Sequence, residues 1–261
     1  MHEHRRPAGR HALMRLVALL AVVLAWPAVS TAQVKVIISG GFSAAYQEVL
    51  PEFERTAGIT VTTTRGQSLG DSPNSIGAQL RRGVAADVVI LSREGLDEII
   101  AEGRVLSGSD TDLARTPLGM AVRRGAPQPD ISTVDAFRQT LLRARSVTFT
   151  SSTSGVYLMT VLFPRLGIAD EMSKKSTTTG VAAVAKGDAE IAIQPVSELL
   201  PVTGIDVAGI LPAEAQKINT YAAAVVRGSM EVDASRRLIA FLASGAASAA
   251  VRRYGMEPSR P

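Results

Sequence analysis

The chain has no cysteine anywhere in its 261 residues. Disulfides, thiolate nucleophiles, cysteine-held metals and a lipid carried on an N-terminal cysteine are therefore all excluded. Histidine is nearly as scarce: His2, His4 and His11 are the three present, and all lie among the first 32 residues. Trp26, the one tryptophan, lies there too. That opening stretch reads as a secretory leader. Arg5, Arg6, Arg10 and Arg15 form a positive region, "LVALLAVVLAW" an apolar one, and "STA" at Ser30–Ala32 a cleavage site of small residues. The apolar run is shorter than the roughly 20 residues a bilayer span needs, so residues 1–32 are expected to be a signal peptide and the mature chain soluble and periplasmic. Losing four arginines and Glu3 leaves 24 basic and 23 acidic side chains, a net charge of +1. The basic isoelectric point thus belongs to the leader, and no nucleic-acid partner is expected.

What remains includes "RGQSLG" at Arg65–Gly70, which contains the G-x-S-x-G spacing of a hydrolase nucleophile elbow. A serine nucleophile needs a base within hydrogen-bond reach, and after residue 32 no histidine exists to serve. No lysine stands three residues after a serine either. Histidine-bound metals fall for the same reason, and no acidic cluster marks a loop. The expectation is a protein with no catalytic residue, no metal and no cofactor: not an enzyme.

Along the chain, strand and helix signals alternate. "VKVIIS" (34–39), "ITVTTT" (59–64) and "ADVVILS" (86–92) read as strands. Helices are expected after each: from Phe42 to Phe53 with a kink at Pro51, around Ile76 and Leu80, and over "REGLDEIIAEG" behind a Ser92 cap. Pro117, Gly125, Pro127 and Pro129 read as a boundary region. Beyond it come a helix "STVDAFRQTLL" with a capping box from Ser132 to Asp135, the strand "SVTFT", the helices "SGVYLMTVLFPRLG" and "TTTGVAAVAKGD", and the strand "AEIAIQP". One helical stretch from Asp233 to Gly255 closes the chain. Two successive α/β units imply two lobes, with ligands at the carboxyl ends of strands.

Four strand-to-helix turns could hold such a ligand: "SGGFS" (Ser39, Gly40, Gly41), "RGQSLG" (Arg65, Gln67, Ser68), "SSTSG" (Thr153, Ser154, Gly155) and "TTTG" (Thr179). Free N–H groups at helix starts suit anions, and Arg65 is the only cation in these turns. Singly, each is an ordinary set of capping residues.

The stretches "VKVIISGGFSAAYQEVLPEFERTAGI", "LRRGVAADVVILS", "SGVYLMTVLFPRLGI" and "AAVRRYGMEP" resemble the molybdate-binding proteins of ABC importers, and more broadly the two-lobed solute-binding proteins. The resemblance implies an α/β fold of type II, with two lobes that are each a mixed, mostly parallel sheet flanked by helices. Residues 33–116 with 222–261 would form one lobe and 117–221 the other, with a ligand cleft between them. It also implies a monomer that hands a small anion to an ABC permease. Of the family's oxyanion donors, the second-turn serine is matched by Ser68, the third-turn amide by Ser154 and a fourth by Thr178 or Thr179. Gly41 replaces the first-turn serine and Gln194 the tyrosine. Two hydroxyls lost and Arg65 gained imply a larger anion than molybdate or tungstate. An organic di- or tricarboxylate of the aconitate kind, clamped by the guanidinium, is the expected ligand, with a molybdate- or tungstate-type oxyanion as the alternative.

Overall fold

A computed structural model describes residues 32–70 and 72–259, so the expected signal peptide lies almost wholly outside the described residues. Strand β1 (Gln33–Ile38) runs parallel to both β2 (Thr60–Arg65) and β3 (Val88–Ser92). Its side chains alternate as the pleat requires: Val34, Val36 and Ile38 enter one apolar core, and Ile37 enters another on the opposite face. Helix α1 (Gly40–Ala57), in which Pro51 lies within an unbroken run, packs Phe42, Tyr46 and Phe53 on the first face. Helices α2 (Ile76–Arg81) and α3 (Arg93–Ala101) cover the second with Ile76, Leu80, Leu96 and Ile99.

Of the residues that mark the boundary, Gly125, Pro127 and Pro129 do lie in a turn and loop, but Pro117 does not. Strand β4 runs from Thr111 to Arg123 straight through Pro117. Up to Pro117 it pairs with β9 (Ile218–Val225), where Pro117 faces Ile218. From Leu118 it pairs with β7 (Ile191–Pro195), and from Gly119 with β8 (Ile205–Ile210). Pro117 sits where the partner changes, a place where a missing N–H is tolerated. Strand β9 in turn continues into the first half, antiparallel to β3. The β4/β9 pair is thus the ladder joining two halves, each with its own apolar cores.

The second half repeats the logic. Short strands β5 (Val147–Thr148) and β6 (Ser176–Thr177) run parallel to each other, and β5 runs parallel to β7. Helix α4 (Val134–Arg143) starts one residue later than the expected capping box. Asp130 Oδ1 takes both the Ser132 hydroxyl (2.7 Å) and its N–H (3.0 Å), so Thr133 becomes the cap and accepts from Ala136 N at 3.1 Å. Helix α5 (Thr153–Tyr157) widens into a π turn (Leu158–Leu162) just ahead of Pro164, which has no N–H to donate, and resumes as α6 (Phe163–Arg165). Helices α7 (Ala169–Lys175), α8 (Val181–Lys186) and α9 (Val196–Leu199) follow. The closing helical stretch is two helices, α10 (Val232–Leu242) and α11 (Gly245–Arg253), because Ser244 caps a new start through Ala246 N. Strand β10 (Glu257–Pro258) then pairs with β4.

Candidate functional site

The register of the first sheet gathers its turns at one rim. Ile38 stands opposite both Arg65 and Ile90, so the chain leaves β1, β2 and β3 at the same level. There Ser39, Gly66–Ser68 and Ser92 meet Thr150 and Ser152–Ser154 of the second half around a cavity of about 120 Å³. A much larger depression of about 730 Å³ opens at the other end of β1, near Lys35 and Asp87. The Asp87 carboxylate is already engaged there by Lys35 N (2.8 Å) and Ser229 Oγ (2.7 Å). The small cavity is different because its polar groups are left over.

Ser39 is buried at the start of α1 yet neither caps the helix nor finds any partner for Oγ. Asn219 Oδ1 and Gln67 Oε1 are likewise buried without a hydrogen-bond partner in the protein. Leaving such groups dry costs about 1–3 kcal/mol each, so together they point to a polar ligand. Ser68 Oγ accepts from Ser92 N at 2.9 Å, which leaves its proton free to donate. Across the cleft, Ser92 Oγ and Thr153 Oγ1 bond at 2.8 Å, Leu69 N donates to Ser152 Oγ (3.2 Å) and Asn219 Nδ2 to Ser154 Oγ (3.2 Å). Lys217 pairs with Glu94 nearby. The two halves are closed upon the cavity.

Among the residues singled out in the sequence, Ser39, Gly40, Gln67, Ser68, Thr153 and Ser154 line this cavity. Gly41, Arg65, Gly155, Thr179 and Gln194 do not. Arg65 ends the edge strand β2 with its side chain exposed, and its positive charge acts on Glu198 of the cavity. Thr179 is exposed and bonded to Thr148 and Thr177. Gly155 is a packing position: a Cβ there would stand 1.9 Å from the Thr150 carbonyl oxygen. At Gly41 a Cβ would stand 1.7 Å from the Tyr221 hydroxyl oxygen, because the ring of Tyr221 comes in from β9 over this bare helix turn.

Sequence reasoning missed Tyr221, Asn219 and Glu198 in this cavity, along with Gly66, Ser92, Thr150, Ser152 and Pro195. Glu198 lies on α9, directly after β7, and its Oε2 is held by Gln194 Nε2. Gln194 is itself fixed, its Oε1 accepting from Val181 N at 2.5 Å. The other oxygen, Oε1, faces Gly40 at the start of α1, 3.0 Å from where a Cβ would be. Burial pushes the Glu198 carboxyl above its ordinary range, against the opposing pull of the Gln194 hydrogen bond and the Arg65 charge. Burial, reinforced by the charge of Glu198, holds the Tyr221 phenol well above its ordinary value, so it stays protonated. Among the described residues no cluster of acidic side chains could hold a metal, and no helix is long and apolar enough to cross a membrane.

Residues 34–257 match the profile of the bacterial extracellular solute-binding proteins. The chain belongs to that family. A relative from Pseudomonas sp., aconitate isomerase, is 39% identical over 92% of this chain and 95% of its own. Among solved structures, the sulfate-binding protein SubI of Mycobacterium tuberculosis superposes with a TM-score of 0.71 at 15% identity, covering 88% of each chain. The periplasmic molybdate-binding protein of Azotobacter vinelandii does so at 0.68 and 15%, covering 85% of this chain and 98% of that one. These two share the fold. The expectation that the chain is not an enzyme is overturned by the Pseudomonas relative, whose name is an enzyme's. That expectation took the absence of histidine and cysteine as the absence of acid–base chemistry. A single enclosed carboxyl can also carry protons, and it leaves no motif in a sequence.

Proposed function

We propose that this protein is an exported, monomeric binder of a small organic tricarboxylate that also interconverts the ligand's cis and trans isomers. Residues 33–116 with 222–261 and residues 117–221 act as the two lobes, and residues 1–32 as the leader that sends the chain to the periplasm. The observation that carries the reading is the presence of one carboxyl, Glu198, inside a cavity whose other polar groups are neutral hydroxyls and amides. A receptor for a bare anion gains nothing from a carboxyl in its cavity, since like charges repel and the group must stay protonated to be tolerated. An acid–base catalyst needs such a group.

The name of the Pseudomonas relative supplies the substrate class: aconitate, a tricarboxylate with one carbon–carbon double bond. Molybdate and sulfate suit the cavity less well, because Tyr221 covers the turn where the family's first serine would donate. Capture for an ABC permease, the role of the family at large, uses the same closed cleft and is the second reading.

Purified protein incubated separately with cis-aconitate and trans-aconitate, followed by proton NMR, should reach one common mixture from either side. Calorimetric binding without conversion would leave the chain a receptor only. Binding of molybdate or sulfate but of neither aconitate would overturn the ligand class.

A further inference from the structure

Resting on that reading, we infer that Lys217 receives one carboxylate of the ligand and that Glu94 competes with the ligand for it. A tricarboxylate brings as many as three negative charges to the cavity. Among the described residues that line it there is no lysine or arginine, and there is the Glu198 carboxyl. Hydroxyls and amides can pair with carboxylate oxygens, but they do not cancel the charge, and an uncompensated charge taken out of water is costly. A cation close by has to supply the balance. Arg65 stands exposed at the end of β2, where solvent and salt screen it. Lys217 is less exposed, with 21% of its side chain open to solvent, and it leads directly into β9, the strand that brings Asn219 and Tyr221 to the cavity.

Lys217 is already set against a carboxylate. Its Nζ pairs with Oε1 of Glu94, in the first turn of α3 and two residues beyond Ser92, which lines the cavity. The Glu94 charge reaches the Tyr221 phenol, so the pair lies within electrostatic range of the cavity. The pairing is lopsided. Glu94 Oε2 is buried without a hydrogen-bond partner, so the lysine satisfies one carboxylate oxygen and leaves the other dry. Glu94 loses little when the lysine turns to another carboxylate, because the free amides at the start of α3 still favour a negative charge there. The lysine turns from a fixed base. Its backbone N–H donates to Gln216 Oε1 (3.0 Å), and the Gln216 side chain is held by Leu118 N (2.7 Å), Leu118 O and Leu211 O (3.1 Å each). A compact ammonium on a flexible stem suits such an exchange of partners.

The test is calorimetry on wild type, Lys217→Met and Glu94→Gln with propane-1,2,3-tricarboxylate, a saturated analogue with no double bond to convert. Each titration is run at low salt and again at about 0.5 M salt, where charges not in contact are screened. Lys217→Met should weaken binding by about 10-fold or more at both salt levels, the loss of one charge-assisted contact. Glu94→Gln should tighten binding, because the competing carboxylate is gone. Equal weakening in both variants would make the pair a brace between the halves and overturn the assignment. Unchanged binding in Lys217→Met, or a weakening that vanishes in salt, would overturn it too, the second by reducing the lysine to a distant charge. Should Lys217→Met fail to fold, Glu94→Gln decides, and affinity that does not rise there overturns the competition. Each of these outcomes beside a wild type that binds and converts aconitate leaves the proposed function standing. A wild type that binds neither this analogue nor either aconitate defeats the proposed function and this inference with it.

Discussion

Gly41 and Tyr221 are one feature seen from two places in the chain. A serine side chain at 41 and the present ring of Tyr221 cannot coexist, since a Cβ at 41 would lie 1.8 Å from the ring carbon that bears the hydroxyl. On helix propensity alone Gly41→Ala should stabilise by about 0.5–1 kcal/mol. The overlap decides the sign the other way, and we expect a loss of about 1–3 kcal/mol in denaturant melts. In a Tyr221→Ala background the same change should cost little or turn favourable. An equal cost in both backgrounds would show that the two positions are uncoupled. Residues such as Ser39, Ser68 and Ser154 were legible because turn chemistry between a strand and a helix has a local signature. Glu198, Asn219 and Tyr221 were not, because each reaches the cavity through long-range pairing. Glu198 also sits on a four-residue helix where an acidic side chain reads as solvated surface. Arg65, beside the G-x-S-x-G turn, is exposed and does not line the cavity, but its charge acts on Glu198 there.

Among the elements, periodicity served well wherever an element is amphipathic and short-range. The first three strands and α1 to α3 lie within a residue or two of where the sequence puts them, except that α1 runs on four residues past Phe53 to Ala57. It gave no sign of β4, where Pro117, read as part of a boundary, lies inside a thirteen-residue strand that changes partners midway. The start of α4 shows how small the deciding interaction can be. Asp130 takes Ser132 out of the capping role, and Thr133 fills it. Thr133→Ala should therefore lower stability by about 1 kcal/mol, and Ser132→Ala by clearly less, in equilibrium unfolding. The reverse order would restore the capping box read from the sequence.

Over the whole molecule, the sequence foretold two α/β units facing a cleft. It could not foretell that the cleft is held shut by the protein's own hydrogen bonds. Ser92 and Thr153, both buried, come from opposite halves and bond at 2.8 Å. Breaking that bond should favour opening. Thr153→Ala is expected to weaken tricarboxylate affinity by about 2- to 10-fold, the equivalent of one hydrogen bond of about 0.5–1.5 kcal/mol, whereas Thr153→Ser keeps the hydroxyl and the affinity. Calorimetry on both variants checks it, and equal affinities would show that the bond plays no part in closure. The contacts across the cleft also bear on exchange: a molecule larger than water that enters or leaves this cavity of about 120 Å³ would have to part the Ser92–Thr153 bond. Where parting of the halves limits the proposed conversion, its rate should fall as the viscosity of the medium rises.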